Sequence, residues 1–79
     1  MVNYVIYSKK DCSRCEKVKT IIECSGNEYD EMVLGDDFDR DWLENVLYNH
    51  YGVKHKMFPY VFLNGEYIGS VDEIVDLLL

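Results

Sequence analysis

Seventy-nine residues, 48% of them hydrophobic and including seven Tyr, three Phe and one Trp, suit one small domain, spanning residues 1–79, with a modest core, and exclude a disordered chain. The net charge of −7 argues against nucleic acid and against anionic membrane surfaces, which both call for clustered Lys and Arg. No run of about 18 apolar residues marks a transmembrane helix, and three cysteines do not make the even-numbered framework of a secreted disulfide scaffold.

Val2 to Ser8 reads as a first strand, near-continuously apolar and so suited to burial on both faces. Ser8 to Asp11 is a loop. Ser13 to Cys24 has helical spacing, with Cys15, Val18, Ile21 and Ile22 on one face and Gly26 just past its end. Cys24 is read as a half-buried small hydrophobe. Glu28 to Leu34 is a second strand. The turn Gly35-Asp36-Asp37 follows, and an Asp within it is expected to cap the next helix. That helix runs from Phe38 to His50. Phe38, Trp42, Leu43, Val46 and Leu47, with His50 as a further candidate, form its inward stripe, while Asp39, Arg40, Asp41, Glu44 and Asn45 face water. Val53 to Met57 is a loop. Phe58 to Leu63 leads into a strand with Pro59 at its entrance, and Asn64-Gly65 turns it back into Glu66–Gly69 as a hairpin. Asp72 to Leu78 is a last helix, with Ile74, Val75, Leu77 and Leu78 on its apolar face. The order β-α-β-α-β-β-α gives an α/β fold: a parallel first pair with a right-handed crossover, an antiparallel hairpin, and one mixed four-stranded sheet flanked by helices.

The chemistry centres on Cys12 and Cys15, three apart at the start of the first helix. Residues i and i+3 of a helical turn lie roughly 5–6 Å apart at Cβ, within reach of a disulfide after a small adjustment. The helix N-terminus offers unpaired N–H groups and partial positive charge, which favour a thiolate, the attacking species. Cys12 is therefore the exposed nucleophile, and Cys15, one turn in, the more buried resolving thiol. Cys-x2-Cys is also metal-ligand spacing, and His50 and His55 are spaced as ligands. Cys15 and His50, however, stand too far apart in sequence for a compact zinc finger. Five of the eight Lys and Arg fall between Lys9 and Lys19, and Lys54 and Lys56 precede Pro59. This locally positive site on an acidic body suits a small anionic ligand.

Three separated stretches resemble the dithiol glutaredoxins of the thioredoxin-fold superfamily. Lys9-Lys10-Asp11-Cys12-Ser13-Arg14-Cys15 is similar to the family's Lys-x-x-Cys-Pro-Tyr-Cys. Met57-Phe58-Pro59-Tyr60-Val61-Phe62 is similar to Thr-Val-Pro-x-Val-Phe, and Ile68-Gly69-Ser70-Val71-Asp72-Glu73 to Ile-Gly-Gly-x-Asp-Asp. The resemblance implies a thioredoxin-like fold and a cis Phe58–Pro59 bond facing the cysteine pair. It also implies a glutathione groove: the Phe58 backbone beside the cysteinyl part, backbone N–H groups of Val71 and Asp72 on the γ-glutamyl carboxylate, the Asp72 side chain on the γ-glutamyl ammonium, and Lys9 on the glycine carboxylate. Ser13-Arg14 departs from Pro-Tyr, and Arg14 becomes a candidate to draw charge onto Cys12 or to meet a glutathione carboxylate. Ser70 departs from the second Gly and is expected to narrow the groove.

The activity this implies is reduction of protein disulfides or glutathionylated thiols through Cys12 and Cys15. Glutathione acts as co-substrate, no metal is required, and the expected state is a monomer in the reducing cytoplasm. Ribonucleotide reductase is a client by resemblance alone. Two alternatives stay open: a glutaredoxin-like redoxin reduced by thioredoxin reductase, and a metal or iron–sulfur module with Cys12 as ligand.

Overall fold

The computed structural model describes residues 3–54 and 58–79. Val2, at the start of the expected first strand, and His55, Lys56 and Met57 lie outside the described residues. Seven elements follow in order: β1 (Tyr4–Ser8), α1 (Ser13–Cys24), β2 (Tyr29–Val33), α2 (Arg40–Tyr51), β3 (Tyr60–Leu63), β4 (Glu66–Gly69) and α3 (Val71–Leu78). They build one four-stranded sheet in the order β2-β1-β3-β4. β1 runs parallel to β2, while β1 with β3 and β3 with β4 are antiparallel. This is the mixed α/β sheet that the apolar pattern implied.

Side chains alternate across a strand, so the central strand feeds two cores. Tyr4 and Ile6 of β1 join Val61 of β3, Val18, Ile21 and Ile22 of α1, and Val71 and Ile74 of α3 in one buried cluster. A second cluster holds Cys15, Leu43 and Leu47 of α2, Phe58 and Tyr60, with Tyr7 and Phe62 packed against it. The second is rich in ring contacts: Tyr7 meets Phe38 at 5.2 Å and Phe62 at 5.3 Å, both edge-on. The cysteine pair therefore sits on the core that α2 closes.

The Asn64-Gly65 turn forms as its chemistry requires, with φ of +53° and +88°. Other expectations need correction. No Asp of the Gly35–Asp37 turn caps α2. Asp39 is the cap residue, without a side-chain cap bond, and α2 begins at Arg40. Asp37 instead turns back and accepts the Val33 N–H at 2.8 Å, so its carboxylate pins the end of β2. Trp42 is half exposed, because α2 buries the narrow stripe Leu43 and Leu47, four apart, and position 42 is rotated off it. On α3 the stripe is Val71 and Ile74; Leu77 stands 53% exposed and Val71 extends the helix by one residue. Cys24 is exposed rather than half buried, since it follows the last inward position, Ile22, at the solvent end of α1.

Candidate active site

The site begins where β1 ends. The buried Ser8 hydroxyl donates to Glu31 Oε2 of β2 at 2.6 Å, and Lys19 Nζ of α1 donates to the same oxygen at 2.9 Å and to Glu16 at 2.8 Å. The Ser8 hydroxyl and the Lys19 ammonium hold the Glu31 carboxyl below its usual range, against the opposing effect of burial. This seam anchors the strand end from which the loop carrying the cysteine pair departs. Asp11 then takes a left-handed conformation, φ +55°, that Asp tolerates better than most residues and that turns the chain into α1.

Cys12 is the N-cap of α1, and its Sγ accepts the Cys15 N–H at 3.2 Å. The cap that Ser or Asp would usually supply is thus the sulfur itself, at the positive end of a helix. Cys12 is partly exposed, and Cys15 is 1% exposed. Burial pushes the Cys15 thiol up to about 12, reinforced by contact with Cys12 and opposed by the Lys9 backbone N–H and by Lys19. The asymmetry expected of the pair is present: the reachable sulfur caps the helix, and the buried thiol behind it keeps its proton.

The Phe58–Pro59 peptide is cis, as the resemblance implied, and both residues are buried. The Phe58 ring lies against Phe38 at 6.3 Å and has two cations near it, Lys9 Nζ at 5.7 Å and the Arg40 guanidinium at 5.6 Å from its centroid. A cleft of about 270 Å³ opens beside Cys12, lined by Lys9, Asp11, Cys12, Ser13, Arg14 and Phe58. Arg14 crosses it, donating from Nε to the Phe58 carbonyl at 3.2 Å and from Nη2 to Ser70 Oγ at 3.5 Å. Ser70 is the cap residue of α3 in a capping box. Its hydroxyl accepts the Glu73 N–H, and its own N–H donates to Glu73 Oε1 at 2.7 Å.

Of the residues singled out in the sequence, Lys9, Cys12, Arg14 and Phe58 meet in this cleft, with Cys15 and Pro59 buried behind it. Val71 and Asp72 do not line it; they begin α3, which Arg14 reaches through Ser70. Arg40 is exposed, as expected, and its guanidinium also lies 5.6 Å from the Phe58 ring, a contact that the sequence reading misses. One signal pointed to it: a cation in a helix's first turn opposes the helix dipole, so something else must favour it there. Among the described residues no group of three or more His, Cys, Asp or Glu gathers as a metal-ligand set, and His55 lies outside them.

Comparison with known proteins agrees with this geometry. The glutaredoxin family model matches residues 4–68. Glutaredoxin-C6 of Oryza sativa subsp. japonica is 33% identical over 73 residues, covering 92% of this chain, which spans only 63% of that relative's length. The N-acetyl-S-hydroxy-L-cysteine reductase of Bacillus subtilis is 32% identical over 82 aligned residues, covering 100% of this chain and 85% of its own. Glutaredoxin 1 of Francisella tularensis shares the fold with a TM-score of 0.80 at 22% identity, covering 96% of this chain and 91% of that one. The buckwheat glutaredoxin–glutathione complex superposes with a TM-score of 0.76 at 29% identity, covering 92% of this chain and 64% of that one. With the family model spanning most of the chain and the cysteine pair, the cis proline and the capped third helix all in place, this chain belongs to the glutaredoxin family.

Proposed function

We propose that the protein is a glutathione-dependent thiol–disulfide oxidoreductase acting in a reducing compartment. The observation that carries this reading is the division of labour between Cys12, partly exposed with its sulfur at a helix N-terminus, and Cys15, buried and held protonated. Cys12 thiolate attacks one sulfur of a substrate disulfide, forming a mixed disulfide and expelling the other sulfur as thiolate. Cys15 then gives up its proton, attacks Cys12 Sγ, and releases the reduced substrate, leaving a Cys12–Cys15 disulfide. Two glutathione molecules return the dithiol and leave as glutathione disulfide. With a glutathionylated thiol the route is shorter, since a second glutathione resolves the Cys12 mixed disulfide directly. A potential of roughly −200 to −230 mV, usual for glutaredoxins, lets both directions run.

The cleft supports glutathione as the co-substrate. Lys9 lines the cleft and offers a cation to the glycine carboxylate, and Arg40 adds positive charge near the Phe58 ring. The Phe58 backbone, Pro59, Arg14, and the α3 N-terminus at Val71 and Asp72 complete the groove that the family resemblance implies. A second reading follows from the Bacillus relative, whose name describes reduction of a small cysteine sulfenic acid. Cys12 thiolate with one proton would displace the hydroxyl as water and give the same kind of mixed disulfide. Both readings use one nucleophile.

In a glutathione-coupled assay, Cys12→Ser is expected to abolish turnover on every substrate. Cys15→Ser is expected to retain reduction of a glutathionylated peptide and to lose reduction of a protein disulfide. A Cys12→Ser variant that keeps activity would sink the proposal.

A further inference from the structure

Arg14 stands between the two cysteines in sequence and lines the Cys12 cleft, and among the described residues its guanidinium bonds only to neutral acceptors, Phe58 O and Ser70 Oγ. The ion pairs among the described residues are Lys10–Asp36, Lys19–Glu16 and Lys19–Glu31, so no described carboxylate engages it. Asp11 lines the same cleft without pairing to it. Two departures from the family pattern, Arg14 for Tyr and Ser70 for Gly, thus touch each other across the groove.

A guanidinium held by neutral oxygens retains its capacity for charge. Its bonds to a carboxylate are shorter, roughly twice as strong, and often paired. A disulfide that brings a carboxylate into the cleft offers Arg14 a better partner than Phe58 and Ser70 do, and frees the Phe58 carbonyl for the ligand. A neutral disulfide offers no such exchange and meets a carbonyl already occupied. We propose that Arg14 is a charge-selective gate on the Cys12 cleft, parked on Phe58 and Ser70 when the cleft is empty, drawn away by the carboxylate of an anionic disulfide and left in place by a neutral one. This deepens the thiol–disulfide reading and rests on it.

The test is single-turnover oxidation of the reduced protein by glutathione disulfide and, separately, by bis(2-hydroxyethyl) disulfide, following loss of the Cys12 thiol by quenched mass spectrometry. The readout is the ratio of the two half-saturating concentrations. In Arg14→Leu the ratio is expected to move about tenfold toward the neutral disulfide, which corresponds to about 1.4 kcal/mol. The glutathione disulfide value should rise while the neutral one falls. Arg14→Lys, which keeps the charge without the planar fork, should lie between. Thermal melting of each variant confirms that it is folded. A ratio that stays put, or both values rising together, overturns the gate and leaves Arg14 a structural tether. Wild-type protein that reacts with neither disulfide overturns the underlying reading as well.

Discussion

Cys15 carries the strongest physical asymmetry at the residue scale. Its thiol is pushed from an ordinary 9.0 up to about 12, chiefly by burial. Between these values the unfolded chain has lost a proton that the folded protein keeps. Stability is therefore unaffected by this group below about pH 9 and falls as pH rises toward 12. The slope is at most about 1.4 kcal/mol per pH unit. Tyr29 and Tyr67, each raised from 10.0 to about 12 with burial the leading cause, add the same sign from pH 10 upward. Melting temperatures of the reduced protein should decline from pH 9, and Cys15→Ser should flatten the part between pH 9 and 10. Identical alkaline profiles for the two proteins would contradict this. Residue roles were partly legible: spacing alone placed Cys12 at the helix end and Cys15 inside. Arg14's attachment to Phe58 and Ser70, 44 and 56 positions away, was not, because a contact between distant segments leaves no local pattern.

Among the elements, those with strong local chemistry matched best. α1 spans the expected residues with the expected buried face, and the Asn64-Gly65 hairpin returns into β4 at Glu66. The start of α2 did not match. Four Asp between positions 36 and 41 all look like caps, and only the tertiary arrangement sends Asp37 back to β2. The junction of β4 and α3 gives a sharp test. Gly69 has φ +132°, and a Cβ there would overlap the Glu73 side chain that closes the capping box. Gly69→Ala should cost about 1–3 kcal/mol, the usual range for a residue forced into such a backbone region. Adding Glu73→Ala removes the overlap with Cγ and Oε1 but leaves that with the residue-73 Cβ and the backbone strain, so the double variant should stay below Glu73→Ala alone in chemical denaturation. Recovery to that level would mean that the overlap with the outer atoms of the Glu73 side chain alone mattered.

The whole molecule divides its core between the two sheet faces, and only one of those clusters holds the site. Leu47 and Ile74 are both essentially fully buried, one in each cluster. Truncating either to Ala should cost about 2–5 kcal/mol. Leu47→Ala should also speed alkylation of Cys15 under native conditions, because it opens the cluster around that thiol. Ile74→Ala should leave the alkylation rate unchanged. Equal acceleration in both would show that the two faces open together. The parallel pairing of β1 with β2 and the antiparallel β3–β4 hairpin were legible because element types and connection lengths leave few topologies. Which cluster the cysteines joined was not, since the faces differ in their neighbours rather than in strand pattern.

The central claim is that glutathione supplies the electrons. Its most direct test is reduction of the oxidised protein followed by NADPH consumption, once with glutathione and glutathione reductase and once with thioredoxin reductase. Rapid turnover with glutathione, at a rate that Lys9→Ala and Arg40→Ala each reduce, is the predicted result. Turnover with thioredoxin reductase and none with glutathione would contradict the account and make the protein a redoxin that uses a flavoprotein donor.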